Sequence, residues 1–470
     1  MNVIKKYISI IFLGFIILSM SKDVIAQVPQ NKTIELLNAD VMAGSNPPEG
    51  PMREYKGNVR LMHGDVRVSS DVAYQYFNQN RADLLGNVVI KQNDMILKAP
   101  IINYEGNSGI AVAPRNINII DSNVNLTANR GTYNTNSLIA DFDGNVIISD
   151  ESVTITTKKA KYNRRTLESD ASGDVVVVDD SVRITSHKLY YNRKTKESKN
   201  YGNVIIKGKY NNVYLTGDTV INIPQKNYTS AKGNPILFQI DSIRKNEEGL
   251  YFPDSYKKAI YEYDTLTISA DSMEAIREAD NEKYLFNGNV EIVRGNVFAR
   301  SQKAIFFKTS DMFFLEGNPI VWYDSTQLHG DSIIVYIPEN ELSMIHSFGN
   351  ALAVSRDDTN DLMRKNQIVG YSVKIFFYEK KISKIEGYGN AKSLYFMSSE
   401  QGNDGTDLTS CDSINIYFED GKPADIIWLG AVQGKYYPEN LVWDKVESYF
   451  LPNYRWREDK PKKKILSLRK

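Results

Sequence analysis

The sequence predicts an all-β fold built from a repeated strand–turn–strand unit. Three observations carry that expectation: a Gly-Asn-Val signature returning every 29 residues, strict apolar alternation around it, and a strand-rich composition. Gly57-Asn58-Val59, Gly86-Asn87-Val88, Gly144-Asn145-Val146, Gly173-Asp174-Val175 and Gly202-Asn203-Val204 share one frame, and Arg115-Asn116-Ile117 fills the remaining step. Tyr (29 residues) outnumbers Phe (18), and runs of Val, Ile, Thr and Asn recur. These are the residues of pleated strands and their turns.

Each column of the repeat has a physical reading. The third position is Val59, Val88, Ile117, Val146, Val175 and Val204, and the fifth is Leu61, Ile90, Ile119, Ile148, Val177 and Ile206. Residues two apart in a strand share a face, so both columns point the same way. A polar turn such as Ser149-Asp150-Glu151-Ser152 follows. Apolar residues then return at the tenth and twelfth positions, as in Val124 and Leu126, Val153 and Ile155, and Val182 and Ile184. The second strand closes near a recurrent tyrosine: Tyr104, Tyr133, Tyr162, Tyr191. Asn and Gly at the junction suit backbone positions with positive φ.

The frame divides the chain. Residues 1–26 read as a secretory signal peptide, with Lys5 and Lys6 ahead of an apolar run from Tyr7 to Met20 and cleavage expected after Ala26. That run is short of the roughly 20 residues that span a bilayer. Residues 27–235 form the first repeat array. Residues 236–287, with Pro253 and the charged run from Arg244 to Glu248, read as a loop or capping insertion holding one degenerate unit at Leu266 and Ile268. The frame resumes at Gly288-Asn289-Val290 and continues through Gly317, Gly349, Gly389 and Gly430, so 288–445 is a second array. Residues 446–470, with Lys462-Lys463-Lys464, read as a solvated basic tail.

Composition excludes several functions. Lys+Arg and Asp+Glu are 57 each, so the chain lacks the basic excess of a nucleic-acid binder. One cysteine, Cys411, closes no internal disulfide and reads as a buried structural thiol. No two of the four histidines (His63, His187, His329, His346) have metal-ligand spacing, and no Cys/His cluster suggests zinc. His187 reads as an exposed strand position. Paired turn carboxylates such as Asp150-Glu151 and Asp179-Asp180 suit local hydrogen bonding better than calcium. No catalytic residue, metal or cofactor is expected.

A signal segment followed by Gly-Asn-Val-x-Ile units, each leading into a Val-x-Ile strand and a trailing Ala160-Lys161-Tyr162, resembles the OstA-like family. The resemblance covers residues 33–220 well and 265–435 weakly. That family includes the periplasmic lipopolysaccharide carrier LptA and the N-terminal domain of the translocon LptD. It implies a repetitive β-jellyroll of stacked antiparallel strands with an apolar groove, in a periplasmic protein associated with the outer membrane. It also implies lipopolysaccharide, held by its lipid A acyl chains, as ligand. Partners would be the outer-membrane translocon, inner-membrane Lpt components of the same fold, or further copies stacked head to tail. Two departures stand out: the chain is longer than a single-module carrier, and the residues after Val446 hold too few alternating segments for a barrel.

The candidate groove lining follows from the columns: Val88, Val146, Val175 and Val204 at the third position, Ile90, Ile148, Val177 and Ile206 at the fifth, and Leu126, Ile155 and Ile184 at the twelfth. The same columns suit a closed core. Two other functions fit the repeat: a non-catalytic β-solenoid adhesin or stalk, and a β-helix enzyme acting on polysaccharide, which needs a carboxylate and basic cluster on one face.

Overall fold

The Gly-Asn pairs crease a long antiparallel strip. The computed structural model describes residues 33–48, 50–245, 260–279, 281–356, 363–399, 402–419 and 421–466. The expected signal peptide lies outside them. Among the described residues, 32 strands pair antiparallel, mostly with their neighbours in sequence. Strand Arg81–Gln92, for example, lies between Val66–Tyr76 and Met95–Glu105.

In strand after strand the register shifts at the Gly-Asn pair, between Leu85 and Val88, Asp143 and Val146, Ser172 and Val175, and again between Asn287 and Val290. Gly86 (φ +72°) and Asn87 (φ +43°) both take the left-handed region. Such a bulge bends the strand. It adds one residue relative to each neighbouring strand, Leu85 and Val88 facing Ile101 and Ala99, while the alternation along the Gly-Asn strand itself runs on unbroken. Ala82 and Leu84 before the corner and Val88 and Ile90 after it are therefore all buried on one face. The strip folds along the line of corners into two walls that face each other. Adding a Cβ at Gly86 would bring it within 2.3 Å of Asp71 Oδ2. Gly86→Ala is expected to cost about 1–3 kcal/mol from backbone strain and that clash. Gly44→Ala, with open space around it, should change stability by less than about 0.5 kcal/mol. Thermal unfolding of the two variants checks the difference.

The interior is two consecutive apolar cores, one built from residues between Ile34 and Tyr191 and one between Val204 and Ile416. Residues 236–287, expected as a loop or capping insertion, contain strands Ile236–Lys245, Ile260–Ser269, Ser272–Glu278 and the first half of Asn281–Arg294. Leu266 and Ile268 are buried there. Pro253 and the end of the charged run lie outside the described residues.

The basic tail is not a solvated extension over its described length. Val446 and Leu451 join Leu394 and Phe396 in a small third core. The segment then runs back over the outer face of the second array. Gln327 grips it through the backbone of Arg457, donating from Nε2 to the carbonyl (2.7 Å) and accepting from the N–H at Oε1 (3.0 Å). Gln367 Oε1 accepts from the Leu451 N–H at 2.9 Å. Lys464 pairs with Glu291, and Lys460 lies over the Phe298 ring. Strands Ile320–Tyr323 and Thr326–His329 are consequently buried on both faces. The lysine run suggested solvation, but the apolar and aromatic residues around it supply the docking.

Candidate functional site

The candidate site is the space between the walls, and in the first array that space is sealed. The corner line closes one side. The opposite side is closed by polar contacts from wall to wall, repeated at the 29-residue step. His63 Nδ1 lies 2.7 Å from Tyr104 Oη. Tyr133 Oη donates to Gln92 Oε1 at 2.7 Å, and Tyr162 Oη donates to Asp121 Oδ2 at 3.0 Å. Arg193 and Asp150 form the fourth rung as an ion pair. Arg164 spans two rungs, donating to Tyr133 Oη (3.1 Å) and Asp121 Oδ1 (2.8 Å), and reaches Asp94 (3.0 Å).

Local turns aim these side chains. Asn163 Oδ1 accepts from the backbone N–H groups of Arg165 and Thr166, and Asn192 Oδ1 from those of Lys194 and Thr195. Each such turn sets the arginine after its asparagine against the opposite wall. Asp150 and Asp179 organise the facing turns by accepting from Ser152 and Val153, and from Ser181 and Val182. The turn carboxylates thus have the local role expected of them.

Electrostatics holds the rungs in their bonded forms. Burial, then the Asp121 carboxylate, pushes the Tyr162 phenol far above its ordinary value. Burial opposes the charge of Arg164, yet its bonds to Asp121 and Tyr133 raise its pKa further. Burial also opposes ionisation of Asp150, but the Ser152 and Val153 amides and Arg193 hold it below the usual carboxylate range.

The candidate lining residues separate into two groups. Val88, Ile90, Leu126, Val146, Ile148, Ile155 and Val175 are enclosed in the first core, and Val204 is enclosed in the second. Val177, Ile184 and Ile206 line a cavity of about 730 Å³ near the junction of the two cores, with Leu215, Val220, Met273 and Phe286. A second cavity, of about 390 Å³, lies near the C-terminal end beside Ile385, Ile416, Ile426 and Trp428. Sequence reasoning noticed the tyrosine column but missed its partners. They too keep the frame: His63, Gln92, Asp121 and Asp150 are 29 residues apart.

Other candidates carry no site. His187 is exposed and Cys411 is buried. Among the described residues, no three of His, Cys, Asp and Glu converge as metal ligands. No helix there is long and apolar enough to cross a membrane.

Two overlapping segments, residues 31–187 and 120–213, match the model of the family described as OstA-like protein. Among solved structures, the chain is similar to LptH from Pseudomonas aeruginosa, the LptA-homologous periplasmic component of the conserved lipopolysaccharide transport device. That likeness has 13% identity and a TM-score of 0.25, and covers 30% of this chain and 95% of that one. No curated protein matches the sequence. Residues 31–213 are thus similar to the OstA-like family.

Proposed function

We propose that the chain binds lipopolysaccharide by its acyl chains and forms part of a periplasmic bridge that delivers the lipid to the outer membrane. The observation that carries this reading is the apolar cavity between the walls, set in an interior that is apolar along both arrays. A lipid in transit needs a dry path and no reaction. Each methylene kept from water is worth about 0.8 kcal/mol, so a dozen amount to about 10 kcal/mol. The cavity size falls within the roughly 300–1,000 Å³ of small-ligand sites. The OstA-like segment supports the same reading, and the signal segment would export the chain.

The ends of the strip fit a relay. Among the described residues, strands Glu35–Asn38 and Val41–Ser45 pair only with Met52–His63. At the other end, Lys422–Leu429 and Gln433–Pro438 pair only with Gly402–Glu419. Leu37, Val41, Met42, Ile427 and Leu429 are exposed on these edges. Unpaired edges of this kind accept further strands, from Lpt components of the same fold or from another copy. Copies joined head to tail would extend the strip. The sealed first array also suits a rigid stalk, which is the second reading.

Gel filtration of the purified chain with lipopolysaccharide separates the two. Co-elution is expected, and Ile206→Asp should weaken binding about tenfold or more by placing a charge in the cavity. Absence of co-elution, or a folded variant that binds like the original, would leave the stalk.

A further inference from the structure

The wall-to-wall contacts stop at a definite place. The tyrosine column runs Tyr104, Tyr133, Tyr162, Tyr191 and then becomes Val220, while the arginine column runs Arg164, Arg193 and then becomes Asn222. Asp179 occupies the facing position, 41 residues before Val220, as Asp121 stands before Tyr162. Its Oδ1 accepts bonds from its own turn, and Asn222 Oδ1 accepts from Thr229 Oγ1 at 2.8 Å. The cavity of about 730 Å³ lies at this step, with Asp179, Ile184, Ile206, Val220 and Asn222 among its walls. Further along, Tyr323 bonds to the Lys380 carbonyl and stacks edge-on against Phe377, which joins the margins again.

From this geometry we infer that the rungs are a lateral seal and that the break at Asp179 and Val220 is a side window through which an acyl-chain amphiphile enters. The inference rests on the lipid reading above and gives it an entry point. In the first array the interior holds close-packed side chains, and the buried Arg164–Asp121 pair closes its margin. Acyl chains inserted there would have to displace that packing and break the rungs. At the window the rung is missing and the space exists. Chains lie against Ile184, Ile206 and Leu215, and the head rests on a rim that carries both signs of charge: Asp179, Asp180 and Glu274 with Lys196 and Arg277. The first array is then a sealed arm, and the passage begins at its end.

Two measurements test this on the full chain. Lipopolysaccharide carrying a photo-reactive acyl chain is irradiated with the protein, and the adducts are mapped by mass spectrometry. They should concentrate on peptides holding Ile184, Ile206 and Leu215, about tenfold over those holding Ile90 and Ile119. Even labelling through both arrays overturns the window while leaving lipid binding intact. Labelling of the window by photo-reactive phosphatidylglycerol but not by lipopolysaccharide overturns the lipopolysaccharide reading and supports the window. The second measurement rebuilds the missing rung. Val220→Tyr with Asn222→Arg places a tyrosine and an arginine opposite Asp179. Adducts at Ile206 should fall about tenfold, with a melting temperature no lower than that of the original protein. Unchanged labelling in the folded double variant overturns the seal.

Discussion

Replacing Asp121 by alanine is expected to destabilise the protein by about 3 kcal/mol, measured by urea denaturation. The Asp121 and Arg164 side chains are 6% and 8% exposed, so the alanine leaves a guanidinium charge in a nearly dry place. Breaking one partner of a buried pair costs about 3–5 kcal/mol. The low end applies because Arg164 keeps Asp94, a carboxylate 62% exposed, and the Tyr133 hydroxyl. Tyr162 loses its acceptor as well. Removing both charges together, as Asp121→Leu with Arg164→Met, should restore most of the loss, because desolvation of the pair is removed with its attraction. A single variant as stable as the original would mean that the rungs are surface pairs of little weight.

Acidification should act most strongly on the second array, through His329. This imidazole sits under the C-terminal segment, and burial, then the charges of Arg455 and Arg457, lowers its pKa from 6.5 to about 3. Between those values the unfolded chain takes up a proton that the folded chain refuses. The contribution of neutral His329 is therefore complete above about pH 6.5 and is lost as the pH falls toward about 3, amounting to roughly 3 kcal/mol by about pH 4. Asp150 and Glu291, whose pKa values are also lowered, lose stability in acid too, so the comparison is with His329→Gln. That variant should show a shallower fall in melting temperature between about pH 6.5 and pH 4. Identical slopes would mean that the imidazole is not sealed beneath the segment.

Much of the fold was legible because the repeat makes local rules redundant. Alternation at Val88 and Ile90, or at Val146 and Ile148, states which face is inward, and each Gly-Asn pair marks where the strand bends. The strands at 236–245 and 260–269 were not legible, because Pro253 and the charged run between them read as breakers. The docking of the tail was not legible either. Besides the apolar packing of Val446 and Leu451, it depends on Gln327 and Gln367, two neutral side chains far from it in sequence that happen to face its backbone.

Within the site, the eleven apolar candidates were chosen by column, and a column cannot distinguish side chains packed on each other from those lining a space. The sequence by itself determined an all-β repeat, its inward face and its 29-residue frame, because strand alternation and turn preference act over a few residues. Only the tertiary structure decided that the first array is closed and that a cavity remains near the junction. Both depend on whether a residue on one wall meets a partner 41 positions earlier on the other: Tyr162 meets Asp121, and Val220 brings Asp179 no hydroxyl. That pairing is set by the distance between the walls, which no local rule contains.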